Sequence, residues 1–234
     1  MCLFTKIAVL SDIHANLEAL ERVLAGLPSW DELYCLGDLV GYGPEPNAVV
    51  EKLRELRPTV ILAGNHDHAV VTGDSSGFVD YAAKAIEWTR KELNRENLDY
   101  LAALKPFAVR TVEEETLALF HGSPRNPLNE YVFPGTPPGV LKSLLKLSGA
   151  SLLLLGHTHV PMFFRSGSST LLNPGSVGQP RDGDSRASYL VLELEPGKVV
   201  HKIRRVQYDV ARTSSAIMKQ GLPKFLGERL SLGI

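Results

Sequence analysis

The chain has 234 residues, 44% of them hydrophobic, and 25 Lys and Arg against 26 Asp and Glu give it a net charge of −1. Such a chain can bury a sizeable core as one large domain or two small ones. The charge balance supplies no general pull toward nucleic acid or membrane, and two cysteines, Cys2 and Cys35, make neither a disulfide framework nor a zinc-finger spacing.

The opening "MCLFTKIAVLSD" has no basic start and no small-residue cleavage site, so it reads as a first strand and not as a signal peptide. No run approaches the ~18 apolar residues of a membrane span. The expectation is a soluble, cytoplasmic protein. After "KIAVL", the residues Leu17, Leu20, Val23, Leu24 and Leu27 recur at helical spacing behind Asn16. "LYCL" is a second strand, with Cys35 as a small buried hydrophobe, and "PNAVVEKLREL" from Pro46 to Leu56 is a second helix. "TVILA" is a third strand, and Gly77 to Leu93 is a longer helix. Strand–helix–strand alternation over residues 6–62 predicts parallel crossovers. The later chain turns antiparallel. "FAVRTVEEETLALF" is a hairpin around Glu113–Glu115, and "SYLVLELEPGKVVHKIRRV" is another that turns at Pro196–Gly197. "SLLLL" is one more buried strand, and "PGTPPG" is the most loop-like stretch. The prediction is one domain over residues 1–208. A tail over 209–234, one short helix and a segment with spaced apolar residues, packs back on it.

Each apolar strand is followed at once by polar residues. "KIAVL" leads to "SDIHAN", "LYCL" to "GDLVGYG", "TVILA" to "GNHDH", "TLALF" to "HGSP" and "SLLLL" to "GHTH". In open α/β sheets, ligands bind outside the carboxyl ends of the strands. Asp12, His14, Asp38, Asn65, His66, His121, His157 and His159 all fall there. Taken singly, Asp12 reads equally as a helix cap, Gly37-Asp38 and "GNHD" as turns, and His121 as a buried histidine bonded to backbone. Together they do not, because five of the seven histidines occupy the same position relative to a strand. Three or four imidazoles with two carboxylates and an amide suit Mn²⁺, Fe, Zn²⁺, Ni²⁺ or Co²⁺ better than Mg²⁺ or Ca²⁺. The donors are too many for one tetrahedral zinc. They suffice for two ions sharing a carboxylate, a clamp for phosphoryl chemistry.

The ordered set "DIH", "GDLVGYG", "GNHD", "HGS" and "GHTH", spread over residues 6 to about 180, resembles the calcineurin-like metallophosphoesterases. The resemblance implies a four-layer α/β/β/α sandwich of two mixed sheets, with a dimetal site at the strand C-terminal ends. It implies Asp12, His14 and His159 as ligands of one ion, Asn65, His121 and His157 as ligands of the other, and Asp38 as the bridge. His66 corresponds to the non-ligand histidine that protonates the leaving group, and Asp67 to the acid that orients it. The chain departs from the protein Ser/Thr phosphatases at Tyr42, where they carry a phosphate-gripping Arg, and at Asp67, where they carry Glu. It resembles instead the small bacterial and archaeal phosphodiesterases, as do "NPGSVGQPR" and "HGSPRNPLNEYVF". The former brings Gln179 and Arg181 near the site as substrate-binding residues, beside Tyr42.

The expected activity is metal-dependent hydrolysis of small phosphodiesters, with Mn²⁺ the favoured ion. The alternative is a nucleotide or dinucleoside polyphosphate hydrolase, with Tyr42, Tyr131 and Phe133 as stacking partners. A nuclease would call for a basic groove that the charge balance does not supply. A non-enzymatic scaffold, like the retromer subunit of this fold, would show a degraded ligand set, and this chain keeps every ligand. The expected partner is a small phosphate ester or nucleotide, with no nucleic acid and no membrane; the oligomeric state is left open.

Overall fold

The computed structural model describes residues 4–234, so Cys2 and the first residues of the expected strand lie outside the described part. In chain order the first half contains β1 (Thr5–Leu10), α1 (Leu17–Gly26), β2 (Glu32–Cys35), α2 (Pro46–Leu56), β3 (Val60–Ile61), α3 (Asn65–Thr72), α4 (Asp80–Glu92) and α5 (Arg95–Ala102). The second half contains β4 (Phe107–Val112), β5 (Glu115–Phe120), α6 (Pro138–Ser148), β6 (Leu152–Leu155), β7 (Met162–Ser166), β8 (Ser169–Asn173), β9 (Ala187–Glu195), β10 (Lys198–Val206), α7 (Val210–Lys219) and α8 (Lys224–Leu232).

Two mixed five-stranded sheets form, ordered β10-β9-β1-β2-β3 and β4-β5-β6-β8-β7. The pairs β1–β2, β2–β3, β5–β6 and β6–β8 are parallel. Alternation along β1 shows why its residues are apolar throughout. Ala8 and Leu10 face the helices, packing with Leu20, Val23, Val49 and Leu53, whereas Ile7 and Val9 face the other sheet, against Leu117, Leu119, Leu152 and Leu154. The second sheet repeats the pattern, with Leu153 and Leu155 turned outward onto Leu141, Leu144 and Leu145 of α6. The result is a four-layer α/β/β/α sandwich.

Both expected hairpins form, β4–β5 across Glu113 and Glu114 and β9–β10 across Pro196 and Gly197. Glu113 and Glu114 have φ of 48° and 69°, the left-handed pair that a two-residue hairpin loop requires. The loop-like "PGTPPG" runs directly into α6, with Pro138 at its first helical position, where the missing N–H costs nothing. The last segment of the tail is a second helix. Leu226 and Leu230, four residues apart, give α8 a buried face that packs with Ile217 and Leu222 against Tyr42, Ala82 and Ala85. Among the described residues no helix is long and apolar enough to cross a membrane.

Parallel pairing brings the ends of β1, β2 and β3 to one edge of the first sheet, and those of β5 and β6 to the same edge of the second. The backbone ladder continues past the strands. Asp12 N donates to Gly37 O, His14 N to Asp38 O, Gly156 N to His121 O and Gly178 N to Asp12 O, all within 3.0 Å. The strand-end loops are thus hydrogen-bonded to one another before any side chain is considered.

Candidate metal centre

Among the described residues, ten other than glycine have φ in the left-handed region, and six of them are Asp12, His14, Asp38, Tyr42, His157 and His159. A left-handed backbone is costly for a residue with a Cβ and persists only where the surroundings over-determine it. Here it turns the chain sharply at the end of a strand, and Asp12, His14, His157 and His159 all bring a donor atom into the cluster. Asp12 does not cap α1, because Asn16 does, accepting from Ala19 N at 3.1 Å. Gly64 lets α3 approach this loop: a Cβ there would lie 2.0 Å from Asp38 Oδ1.

The imidazoles are held from behind. Nδ1 of His14 faces Val40 O at 3.1 Å, that of His121 faces Leu36 O at 2.9 Å and that of His159 faces Gln179 O at 2.6 Å. His157 leaves Nε2 buried without a partner. A carbonyl oxygen only accepts, so in His14, His121 and His159 Nδ1 carries a proton and the lone pair of the neutral ring lies on Nε2. Metal-binding histidines are anchored in this way. Burial pushes His14 and His159 well below the usual histidine range, and their Nε2 atoms stand only 3.0 Å apart. Two neutral rings facing each other through lone pairs cannot hydrogen-bond, and a cation resolves the contact.

The carboxylates complete two donor groups, Asp12, His14, Asp38 and His159 in one, and Asp38, His121 and His157 in the other. Asp38 belongs to both. Its Oδ2 lies 3.6 Å from His14 Nε2 and 3.4 Å from His121 Nε2, and its Oδ1 accepts from His66 N, at the positive end of α3. Asn65 joins the second group through Oδ1, 3.0 Å from His121 Nε2. Asp12 accepts from Ser11 Oγ and His157 N on Oδ2, while Oδ1, 3.3 Å from His159 Nε2, is buried without a hydrogen bond. Burial, with the charge of Asp38, raises Asp12 to about 7. Burial also pushes Asp38 upward, but His121, His66 and His14 outweigh it and hold that carboxyl well below the usual range. His121 moves the other way: burial lowers it, and the Asp38 charge prevails and raises it to about 9. The donor set suits mixed N/O transition-ion coordination.

His66 lies beside this cluster. Its ring makes no hydrogen bond among the described residues; it packs at a tilt against Tyr42, centroids 4.3 Å apart, and meets Phe78 edge-on at 4.9 Å. Burial brings it down to about 4. Asp67 does not touch that ring. Both its oxygens are occupied by the main-chain N–H groups of Leu39, Val40 and Gly64, so in this structure it orients the Asp38 loop and the start of α3 instead. Gln179 is buried and turned inward, its carbonyl holding His159 and its Oε1 accepting from Arg181 at 2.8 Å. Arg181 lines the cleft and sits 5.6 Å above the ring of Tyr42, itself buried against His14. Arg125 is paired with Glu130 and clasps its own loop.

Sequence reasoning passed over Phe78, Tyr81 and Asn129, which line the cleft beside His66 and His157. The helical pattern from Gly77 to Leu93 takes in Phe78 and Tyr81. That helix starts at Asp80, and the aromatic pair at its threshold was the available signal.

The charge states fix how ion uptake responds to pH. In the ion-free site His121 keeps a proton below about 9 and Asp12 keeps one below about 7, and both must leave before these groups can ligate. The apparent affinity for Mn²⁺ should therefore rise with pH, by about two log units per pH unit below 7 and about one between 7 and 9. Titration calorimetry in buffers of different ionisation enthalpy counts the released protons; an affinity flat from pH 6 to 9 contradicts this.

Residues 5–197 match the calcineurin-like phosphoesterase superfamily domain. Over 246 aligned positions the chain is 37% identical to an uncharacterized protein of Methanocaldococcus jannaschii, covering 97% of this chain and 98% of the relative. Phosphodiesterase YfcE of Escherichia coli is 29% identical over 207 positions, 83% of this chain and 91% of the relative. The crystal structure of a metallophosphoesterase from Sphaerobacter thermophilus superposes with a TM-score of 0.85 at 36% identity, covering 98% of this chain and 99% of that one. The chain belongs to the calcineurin-like phosphoesterase superfamily, and it is a hydrolase of phosphate esters.

Proposed function

We propose that this chain is a two-metal phosphodiesterase acting on small substrates. The observation that carries the reading is Asp38, the one carboxylate common to both donor groups. Asp12, His14 and His159 would hold one divalent transition ion and Asn65, His121 and His157 the other, with Asp38 available to both. The mixed N/O donors favour Mn²⁺, with Fe, Zn²⁺, Ni²⁺ and Co²⁺ as alternatives. Bound ions supply the Lewis acidity for attack of water on phosphorus and offset the phosphate charge. The protein supplies the rest. The main-chain carbonyls fix the tautomers of the ligand imidazoles. His66, beside Asn65 but outside the donor groups, is neutral in the free protein; it takes up a proton as the anionic ester settles beside it and gives that proton to the departing oxygen. Asp67 keeps the Asp38 loop and α3 in register. Gln179 positions Arg181 at the cleft, where its guanidinium meets the phosphate or its substituent.

A diester carries one negative charge, which two ions would offset unaided. A monoester carries a second, whose grip calls for a dedicated arginine. Tyr42 stands where such an arginine would be. The phosphodiesterase name of the Escherichia coli relative agrees with the diester reading.

Asp38→Asn should leave the fold intact and reduce tightly held ions from two per chain to fewer than one. Elemental analysis of the folded variant reads this, and two tight ions with full activity exclude a bridging role. His66→Ala should keep the ions and lose turnover by roughly 100- to 10,000-fold. The loss should shrink for p-nitrophenyl esters, whose leaving group needs little protonation; equal losses for poor and good leaving groups assign His66 to phosphate binding instead. For the intact enzyme with Mn²⁺, kcat/KM should be higher for bis-p-nitrophenyl phosphate than for p-nitrophenyl phosphate. A tenfold preference for the monoester refutes the diester assignment.

A further inference from the structure

Phosphate and metal chemistry call for charge and polar donors; they do not call for aromatic rings. Yet the cleft of about 310 Å³ beside the histidine cluster is bordered by Tyr42, Phe78, Tyr81 and Tyr131, with Asn129 and Arg181 as polar groups. The volume falls in the range of small-molecule sites, about 300–1,000 Å³. The rings come from unrelated segments. Phe78 and Tyr81 lie at the threshold of α4, whereas Tyr131 lies in the loop between β5 and α6. Phe78 meets the His66 ring edge-on, and Tyr131 lies over His157 with centroids 3.8 Å apart and planes 23° from parallel. Tyr131 also pairs with Phe133, their planes only 4° apart. These two rings are 51% and 46% exposed, and Val79 at the same cleft is 57% exposed. Val79 and Tyr131, both more than half exposed, line the cleft itself, and Phe133 only backs Tyr131 from outside it; large apolar side chains left in water at the mouth of a concave site mark a surface that a ligand covers. The side-chain amide of Asn129 makes no hydrogen bond among the described residues and is free to meet a polar edge.

We infer that this cleft is a base-binding subsite, and that the organic group of the ester is a nucleoside. The planar base lies against the aromatic walls, its polar edge meets Asn129, and the phosphate lies over the histidine cluster. The placement of the phosphate rests on the two-metal phosphoesterase reading. Stacking on an aromatic ring tolerates any base, so the preference is for a base over none.

Calorimetric binding to the full-length, Mn²⁺-loaded protein tests this with three product-like probes: adenosine 5′-monophosphate, ribose 5-phosphate and inorganic phosphate. Stacking changes affinity by about 5- to 150-fold. The adenosine nucleotide should bind at least tenfold more tightly than ribose 5-phosphate. Tyr131→Ala, at a half-exposed position, should reduce that gap to threefold or less; the gap is a ratio, so any effect on His157 beneath the ring cancels, and measurable binding of ribose 5-phosphate and inorganic phosphate reports that the variant is folded and loaded. Phe78→Leu should reduce the gap in part. Equal binding of nucleotide and sugar phosphate by the wild type overturns the inference, and so does a gap that survives Tyr131→Ala. Turnover of bis-p-nitrophenyl phosphate by the same preparation separates the two claims. Turnover without a base preference leaves the phosphodiesterase standing and removes the subsite, whereas a base preference without turnover does the reverse.

Discussion

Three buried imidazoles, His14, His121 and His159, are anchored through Nδ1 to main-chain carbonyls. The carbonyls belong to the strand-end loops themselves. Leu36 and Val40 bracket Asp38, and Gln179 lies in the segment that also bonds back to Asp12. Each ring therefore ties two loops together while those loops fix its orientation. The cost is concentrated at the His14–His159 contact, where two lone pairs meet at 3.0 Å in a place water does not reach. A buried polar contact of this kind calls for compensation, and a cation supplies it.

The left-handed backbones follow from the same constraint. A strand ending in ordinary extended geometry would send Asp12 and His14, or His157 and His159, onward past the sheet edge. Turning the chain through the left-handed region gathers them, at a cost on the order of 1–3 kcal/mol for each strained residue. The sandwich absorbs that cost because Ile7, Val9, Leu152 and Leu154, immediately upstream, are buried between the two sheets. The strained loops are thus clamped to the most rigid part of the core, and the shared ladder from Asp12 N to Gly37 O and from His14 N to Asp38 O keeps them from relaxing singly.

This arrangement explains what was legible in the sequence. Strands buried on both faces are apolar throughout, so a histidine or aspartate directly after one stands out, and parallel pairing forces such residues to one edge. His14, Asp38, His121 and His157 could be read together for that reason. Partners could not be read. Asp67 follows His66 in sequence, yet its oxygens go to the amides of Leu39, Val40 and Gly64, because a carboxylate near a helix start is drawn to free N–H groups. Gln179 looked like a substrate contact and is buried as a brace. The β7–β8 hairpin went unread because the sequence from Met162 to Asn173 mixes exposed Phe163 and Arg165 with a Gly-Ser turn, and its pattern appears only once β8 is buried beside β6.

The C-terminal helices extend the same logic outward. Ile217, Leu226 and Leu230 share a cluster with Tyr42, Ala82 and Ala85, which places α7 and α8 directly behind the aromatic side of the cleft. Phe225 lies 5.1 Å from Tyr81, and the buried guanidinium of Arg229 stands between them, 5.9 Å from Tyr81 and 5.1 Å from Phe225. Arg229 is close enough to Arg181 to be shifted downward by it, after burial, so the tail adds positive potential to the side of the cleft that faces an anionic ester. Thr213 meets Asn16, which also caps α1 and donates to Gly178 O in the segment that carries Gln179 and Arg181. Residues outside the matched superfamily domain therefore brace both the loop that presents Arg181 and the wall formed by Tyr42 and Tyr81. The donor cluster is fixed by the strand ends, whereas the shape and charge of the surface around it depend on these added helices.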